Sequence, residues 1–314
     1  MVKDNYTPPL FHRSSLLATI LPNVLRPVDP IQWTIQEHQT ADNDVFITGS
    51  LKQDSSACVV LLHGLEGSID SRYMLGMAHA FYTEGNDIIA LNHRGCGGYN
   101  NLQPSSYHSG FTQDLSQLIA SLTQNYKQLW LIGFSLGGNI ALKYALEEDL
   151  PSELQGAIAI SAPIDLAGSS ARLGASHNWI YQQRFLRSLK RKAALKKQEH
   201  PASAFDLDAV SAASTIEAFD DVYTAPVNGF KHARDYYEQC STYLSLPFIK
   251  LPTLLINAKN DSFLSDRCFP SSTENLHVRS PRYGGHVGFA LDNAMRKQFW
   301  HEVKAKEFIK TFTP

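Results

Sequence analysis

One short segment restricts this chain more than any other. Gly133-Phe134-Ser135-Leu136-Gly137-Gly138 lies between an apolar run, Leu129-Trp130-Leu131-Ile132, and a helix-forming stretch from Asn139 to Glu148. A small-x-Ser-x-small sequence pinched between a strand and a helix is a nucleophile elbow. Such a turn is sharp enough to force its serine into a strained backbone conformation, and Cβ atoms two residues to either side would collide. Gly133 and Gly137 remove those atoms, and Gly138 lets the helix approach the sheet. The outcome is a hydroxyl raised clear of the backbone at the positive end of a helix, where an oxyanion is stabilised. A plain glycine-rich turn would also fit these residues alone; the strand–turn–helix setting and the partners downstream favour the elbow.

The rest of the chain repeats the theme. Ala57–Leu62 reads as a strand leading into a helical pattern at Arg72–Tyr82, and Asp87–Leu91 as one leading into Phe111–Gln124. Further strands are expected at Gly156–Ser161, Thr253–Ala258 and Leu276–Val278, the last before a C-terminal helix with Met295, Phe299 and Val303 on one face. Ile31–Gln36 and Asp44–Leu51 read as an antiparallel start. Apolar runs alternating with helices describe an α/β fold with a mostly parallel central sheet, of about eight strands, flanked by helices. Residues 1–30 are rich in proline and read as an N-terminal arm, in which Pro22 ends the run Leu16–Leu21. The core is then expected over 31–164 and 249–314, with 165–248 inserted as a helical cap. An interval that long is implausible as a bare loop, and the carboxyl edge of an open α/β sheet is where ligands bind.

A serine hydroxyl is a poor nucleophile unless a base lies within hydrogen-bond reach and a carboxylate orients that base. In this architecture the chain order is Ser, acid, His. Lys259-Asn260-Asp261-Ser262 follows one expected strand, and Tyr283-Gly284-Gly285-His286 follows the last. Ser135, Asp261 and His286 are therefore the expected nucleophile, orienting acid and base. Asp165 competes for the acid role from the loop after Ser161-Ala162-Pro163, but Asp261 sits one connection before the histidine strand. Two backbone N–H groups should face the developing oxyanion. Leu136, directly after the nucleophile, supplies one; Leu65, in His63-Gly64-Leu65-Glu66-Gly67, is expected to supply the other.

His63, just before Gly64, reads as a structural hydrogen-bonding residue rather than a second catalytic histidine. His63, His93 and His108 match no metal-site spacing, so no metal and no organic cofactor is expected. Arg94 is expected to brace the oxyanion loop through Glu66 or Asp114. Between Arg184 and Lys197 the cap is basic, with Tyr181, Phe185, Leu189 and Ala193 at helical spacing. A basic amphipathic helix can make weak peripheral contact with anionic lipid; packing of its apolar stripe within its own domain, with the charges solvated, is the favoured reading.

Bulk properties close off other classes. Lys and Arg (28) nearly balance Asp and Glu (30), so no net field points to nucleic acid. Cys58, Cys96, Cys240 and Cys268 form no CxxC pair, which suits a reducing compartment, and Cys58 reads as a small core residue. No secretory pattern or membrane span is seen, so a soluble cytoplasmic protein is expected.

Taken in order, the segments His63–Ser68, Asn92–Gly98, Tyr107–Gly110, Gly133–Asn139, Ser161–Pro163, Phe219–Asp221, Asp235–Ser241, Asn257–Asp261 and Gly284–Phe289 resemble the YheT-like α/β-hydrolases, relatives of the eukaryotic embryogenesis-associated hydrolases. The resemblance implies a serine triad at Ser135, Asp261 and His286 and activity on carboxylic esters, among them short-chain esters and acylglycerols. A small-molecule acyl ester or lipid is the implied substrate. Asn92-His93 departs from the family, where many members carry an aromatic residue. An alcohol acyltransferase using the same acyl-enzyme is an alternative, as is a ligand-binding protein on the same fold with little turnover.

Overall fold

The computed structural model describes residues 6–312. Eight strands form one sheet: β1 (Thr34–Gln39), β2 (Val45–Leu51), β3 (Ala57–Leu62), β4 (Asp87–Asn92), β5 (Gln128–Phe134), β6 (Leu154–Ile160), β7 (Thr253–Ile256) and β8 (Leu276–Arg279). Their spatial order is β1-β2-β4-β3-β5-β6-β7-β8. β2 runs antiparallel to both its neighbours, and every other pair is parallel. The mostly parallel, two-sided α/β sheet expected from the apolar runs is thus present. β1, polar and exposed along its length, makes a suitable edge.

Helices cover both faces. In chain order they are α1 (Ser15–Leu25), α2 (Arg72–Tyr82), α3 (Gln113–Leu122), α4 (Leu136–Ala145), α5 (Leu166–Gly174), α6 (Trp179–Glu199), α7 (Leu207–Ala212), α8 (Ile216–Phe219), α9 (Ala225–Val227), α10 (Ala233–Cys240) and α11 (Trp300–Phe312). The twofold alternation along β3 decides which core each residue joins. Val59 and Leu61 pack with Met74, Met77, Phe81, Trp130 and Phe308 on the side of α2 and α11. Cys58, Val60 and Leu62 pack with Leu115, Ile119 and Ile140 on the side of α3 and α4, so Cys58 is a core residue as its surroundings in the sequence imply. From α5 to α10 the chain lies between β6 and β7 and has apolar clusters of its own, one built on Leu186, Val210, Phe219 and Tyr223.

Two local expectations change. α1 runs through Pro22, which had been read as the end of the apolar run. Proline leaves the carbonyl four residues back without its helical donor, and that carbonyl, of Ala18, lies tight against Gly288, where any Cβ would strike it. Gly288, which has no side chain, packs against the carbonyl that the proline leaves without a donor. At the other end, Met295 and Phe299 precede α11 instead of lying on it; both are buried, Met295 with φ 53°, in a cluster that takes in Leu21 of α1.

The elbow shows which glycine serves which contact. A Cβ on Gly133 would overlap the Gly137 carbonyl and lie 2.7 Å from Gly138 Cα, within the turn itself. A Cβ on Gly137 would strike the His63 carbonyl and lie 2.7 Å from that of Leu62, so this glycine makes room for the end of β3 rather than for the turn. We expect Gly133→Ala to cost about 3 kcal/mol, because the obstacle is backbone that has no rotamer to change; the shift in urea midpoint measures it.

Candidate active site

Ser135 follows β5 and precedes α4 with φ 52° and ψ −122°, a conformation that non-glycine residues rarely hold. Its N–H is tied to Ile160 O at 2.8 Å, which keeps the turn in register with β6. The hydroxyl lies 2.8 Å from His286 Nε2, and His286 Nδ1 lies 2.8 Å from Asp261 Oδ2. The neutral imidazole fits both contacts only when Nδ1 carries the proton and donates to the carboxylate, leaving Nε2 to accept from the serine. Asp261 is buried and its other oxygen accepts the Phe263 N–H at 3.0 Å. The Phe263 ring lies 4.4 Å from the imidazole, centroid to centroid.

The histidine loop is held from three sides. Gly285 N–H donates to Asn260 Oδ1 at 3.0 Å, joining this loop to the one that carries Asp261. Val287 N–H donates to Ser161 Oγ at 2.9 Å. His286 N–H donates to Thr19 Oγ1 at 2.9 Å, and that hydroxyl donates to Ser15 O at 2.8 Å. The last contact comes from α1, so the segment read as a peripheral arm positions the imidazole backbone. Pro22 in the sequence masked this helix.

Leu136 and Leu65 both border the cavity over Ser135, and neither amide has a hydrogen-bond acceptor among the described residues. The loop carrying Leu65 closes directly on the elbow, since a Cβ on Gly64 would lie 3.0 Å from Ser135 Cβ. Asp165 is engaged elsewhere: it caps α5 through Gly168 N–H and accepts Ser265 Oγ at 2.7 Å.

His63, His93 and His108 sort by their contacts. His63 Nδ1 donates to Gly64 O at 2.7 Å while its Nε2 accepts from His93 N–H at 3.1 Å, and His93 Nε2 donates to His63 O at 3.0 Å. Burial drives both pKa values down, His93 to about 4 and His63 well below its ordinary value, so both stay neutral and brace the loop. His93 also stacks on Tyr107 at 4.9 Å. His108 lies apart from them, among Phe111, Phe230 and Tyr236.

Arg94 does bond Asp114, at 2.6 and 2.9 Å, but its other partners are Asp42 and Asp44 at 2.6 and 3.0 Å, and Glu66 is not among them. The aspartates come from the β1–β2 connection, whose approach no local pattern in the sequence reveals. Glu66 instead turns to the cap: Lys192 Nζ donates to it at 2.7 Å, as do Ser188 Oγ and Tyr107 OH. Lys196 is buried and bonds the Asn101 carbonyl, whereas Lys192 is half-buried. The cap lysines at these two positions therefore face inward, whereas the sequence pattern had them solvated. Trp179 and Ile180 at the start of α6 stay exposed. No described helix is long and apolar enough to cross a membrane.

Asn139, one turn into α4, is a further residue that the sequence reading passed over. It donates to Ser109 O and Cys240 O at 2.8 and 2.9 Å and accepts from Thr242 Oγ1 at 2.9 Å. It thereby ties the elbow helix to the Tyr107–Gly110 loop and to the root of the cap.

A cavity of about 160 Å³ rises from Ser135 and His286 beneath the cap, with Leu173, Phe185, Leu189, Ile216 and Phe219 in its walls. Asp220 also borders it; burial pushes this carboxyl up to about 6, and Tyr237 OH donates to it at 2.7 Å. A second cavity of about 460 Å³ reaches the same serine and histidine from the side of α1, with Asn23, Arg72 and Arg184 in its more polar walls.

The family model described as alpha/beta hydrolase fold matches residues 58–267. The chain is 32% identical over 260 residues to an esterase candidate, YheT, of Escherichia coli (strain K12), covering 81% of this chain and 76% of that one. It is 25% identical over 325 residues to Phospholipase ABHD3 of Homo sapiens, covering 99% and 80%. With the Monoacylglycerol lipase of Saccharomyces cerevisiae it shares 25% identity over 271 residues, covering 82% and 60%. Among solved structures, the esterase PF2001 of Pyrococcus furiosus superposes with a TM-score of 0.57 at 17% identity, covering 98% of each chain, a likeness of fold.

Two substitutions test how the site is held. Thr19→Val keeps the shape of α1 but leaves the buried His286 N–H without an acceptor; we expect a stability loss of about 1–3 kcal/mol and a fall in kcat, read by denaturation and ester turnover. Arg94→Met strands buried carboxylates and should cost about 3–5 kcal/mol, measured by urea unfolding.

Proposed function

Because this chain belongs to the α/β-hydrolase fold family, in its YheT-like branch, we propose that it cleaves short- or medium-chain acyl esters through an acyl-Ser135 intermediate. The enzyme is a carboxylic ester hydrolase of the esterase and lipase type. The observation that carries the finer reading is the hydrogen-bond chain from Ser135 through His286 to Asp261, set under an apolar cavity.

The steps follow from the contacts. His286 Nε2 takes the Ser135 proton as Oγ attacks the acyl carbon. The carbonyl oxygen becomes an oxyanion facing the Leu65 and Leu136 amides, which are preorganised and carry no competing acceptor. Asp261 holds the Nδ1 tautomer and stabilises the imidazolium without taking the proton. His286 then protonates the departing alkoxide, and a water deprotonated by the same nitrogen releases the acid in the second half.

Polarity assigns the two cavities. An acyl chain gains about 0.8 kcal/mol for each methylene it buries, which favours the apolar space under Leu173, Phe185 and Leu189. The alcohol leaves toward the polar second cavity, by which water arrives as well. That partition supports ester substrates with an aliphatic acyl group and a polar alcohol, acylglycerols among them.

A fluorophosphonate probe is expected to label the parent protein at Ser135 and to leave Ser135→Ala unlabelled. In parallel, p-nitrophenyl butyrate turnover should fall in Ser135→Ala and His286→Ala alike, by about 10³-fold or more, since members of one catalytic unit do not contribute additively. Undiminished labelling or turnover in Ser135→Ala would overturn the assignment.

A further inference from the structure

Glu66 stands in a backbone conformation that its residue type disfavours. Its φ is 55°, and it is the third residue of the Gly64–Gly67 turn, closed by Gly67 N–H to Gly64 O at 3.0 Å. That is the pattern of a type II turn, whose third position normally belongs to glycine or asparagine. A glutamate there persists only if its surroundings hold it. The Leu65 N–H belongs to the peptide preceding that of Glu66, so a Glu66 that relaxed to negative φ would move that donor by shifting the turn as a whole.

The contacts that hold the strained conformation come from Tyr107 and from the cap. Tyr107 OH accepts the Glu66 N–H at 2.8 Å, which fixes that peptide's direction, and donates to Glu66 Oε1 at 3.1 Å. Ser188 Oγ and Lys192 Nζ, one turn apart on α6, take the two carboxylate oxygens. The Glu66 carboxylate is almost wholly buried, at 7% exposure, so its bond to Lys192 is poorly screened. Lys192 Nζ also lies 3.3 Å from Cys96 Sγ, which pins it to the loop after β4. Leu65, directly before Glu66, borders the reaction cavity.

We propose that Lys192, with Ser188, is a positioning residue for the oxyanion hole: by clamping the strained Glu66 it holds the Gly64–Gly67 turn, and with it the Leu65 N–H, in place beside the reacting carbonyl. The cap helix then supports the catalytic site as well as roofing the cavity, and a cap lifted from Glu66 lets the turn that carries the Leu65 donor shift. This inference rests on the assignment of Ser135 as nucleophile.

The test uses the full chain with p-nitrophenyl butyrate as substrate and an alkyl trifluoromethyl ketone as the transition-state analogue. Lys192→Met keeps length and apolar stem while removing the donor. It should lower kcat by about tenfold or more, within the range for losing one oxyanion donor, with KM changed less than about twofold. The inhibition constant of the ketone should rise in proportion to the loss in kcat/KM. Lys192→Arg should restore most of the rate. Glu66→Gly, which accepts positive φ without help, should retain more activity than Glu66→Ala. A purely structural lysine would lower the melting temperature in Lys192→Met without moving the ketone constant, and that result overturns the proposal. So does a Glu66→Gly variant no better than Glu66→Ala. Activity persisting in Ser135→Ala would instead remove the hydrolase mechanism itself, so the two failures are separable.

Discussion

The site depends on how closely backbone approaches backbone at the carboxyl ends of β3 and β5. Gly137 allows the start of α4 to lie against the Leu62 and His63 carbonyls, and Gly133 allows the chain to turn that sharply in the first place. Everything at the reaction centre inherits its place from that contact. The serine is lifted into a crevice rather than buried in the sheet, and the loop leaving β3 is obliged to pass beside it. Because β3 and β5 are hydrogen-bonded neighbours, two amides from different elements can face one oxygen without any long-range bridge.

Around this contact the molecule stores backbone strain and surrounds it with bonds. Ser135, Glu66, Ser161, Val287 and Phe289 all have positive φ, and each contributes a segment at or beside the site. Such conformations cost about 1–3 kcal/mol each and survive only when neighbouring contacts over-determine them. Ser161 and Val287 hold one another through the Val287 N–H, and Phe289 N–H returns to Gly284 O at 3.1 Å. Rigidity of this kind suits a reaction in which donors must already point at the oxygen before charge develops on it.

What could be read from the chain follows the range of the forces involved. The elbow is local, since its glycines and serine lie within a few residues, and its steric demand can be stated without a fold. Asp261 and His286 could be placed because each follows an apolar run, and parallel strands send their following loops to the same edge. In the structure these are the side chains that meet Ser135. α1 was hidden because Pro22 reads as a break, while Gly288, which packs against the carbonyl left without a donor, is far away in the sequence. The Arg94 partners were only half legible for the same reason: Asp114 lies on the next helix, whereas Asp42 and Asp44 come from the hairpin before β3.

The cap illustrates a different limit. Helical spacing identifies which side of α6 is apolar, but a lysine at the border of that stripe can lie in solvent or reach a buried carboxylate. The choice is made by whether a carboxylate waits there. Glu66 does, in the loop after β3, and its desolvation is compensated by the donors from α6 and Tyr107. Burying an unpaired carboxylate would cost several kcal/mol, so the loop and the cap helix constrain each other. On the proposed mechanism, the same ion pair that seats α6 also holds the turn beside the reacting carbonyl. Access to the cavity and competence of the site would then be one structural variable rather than two.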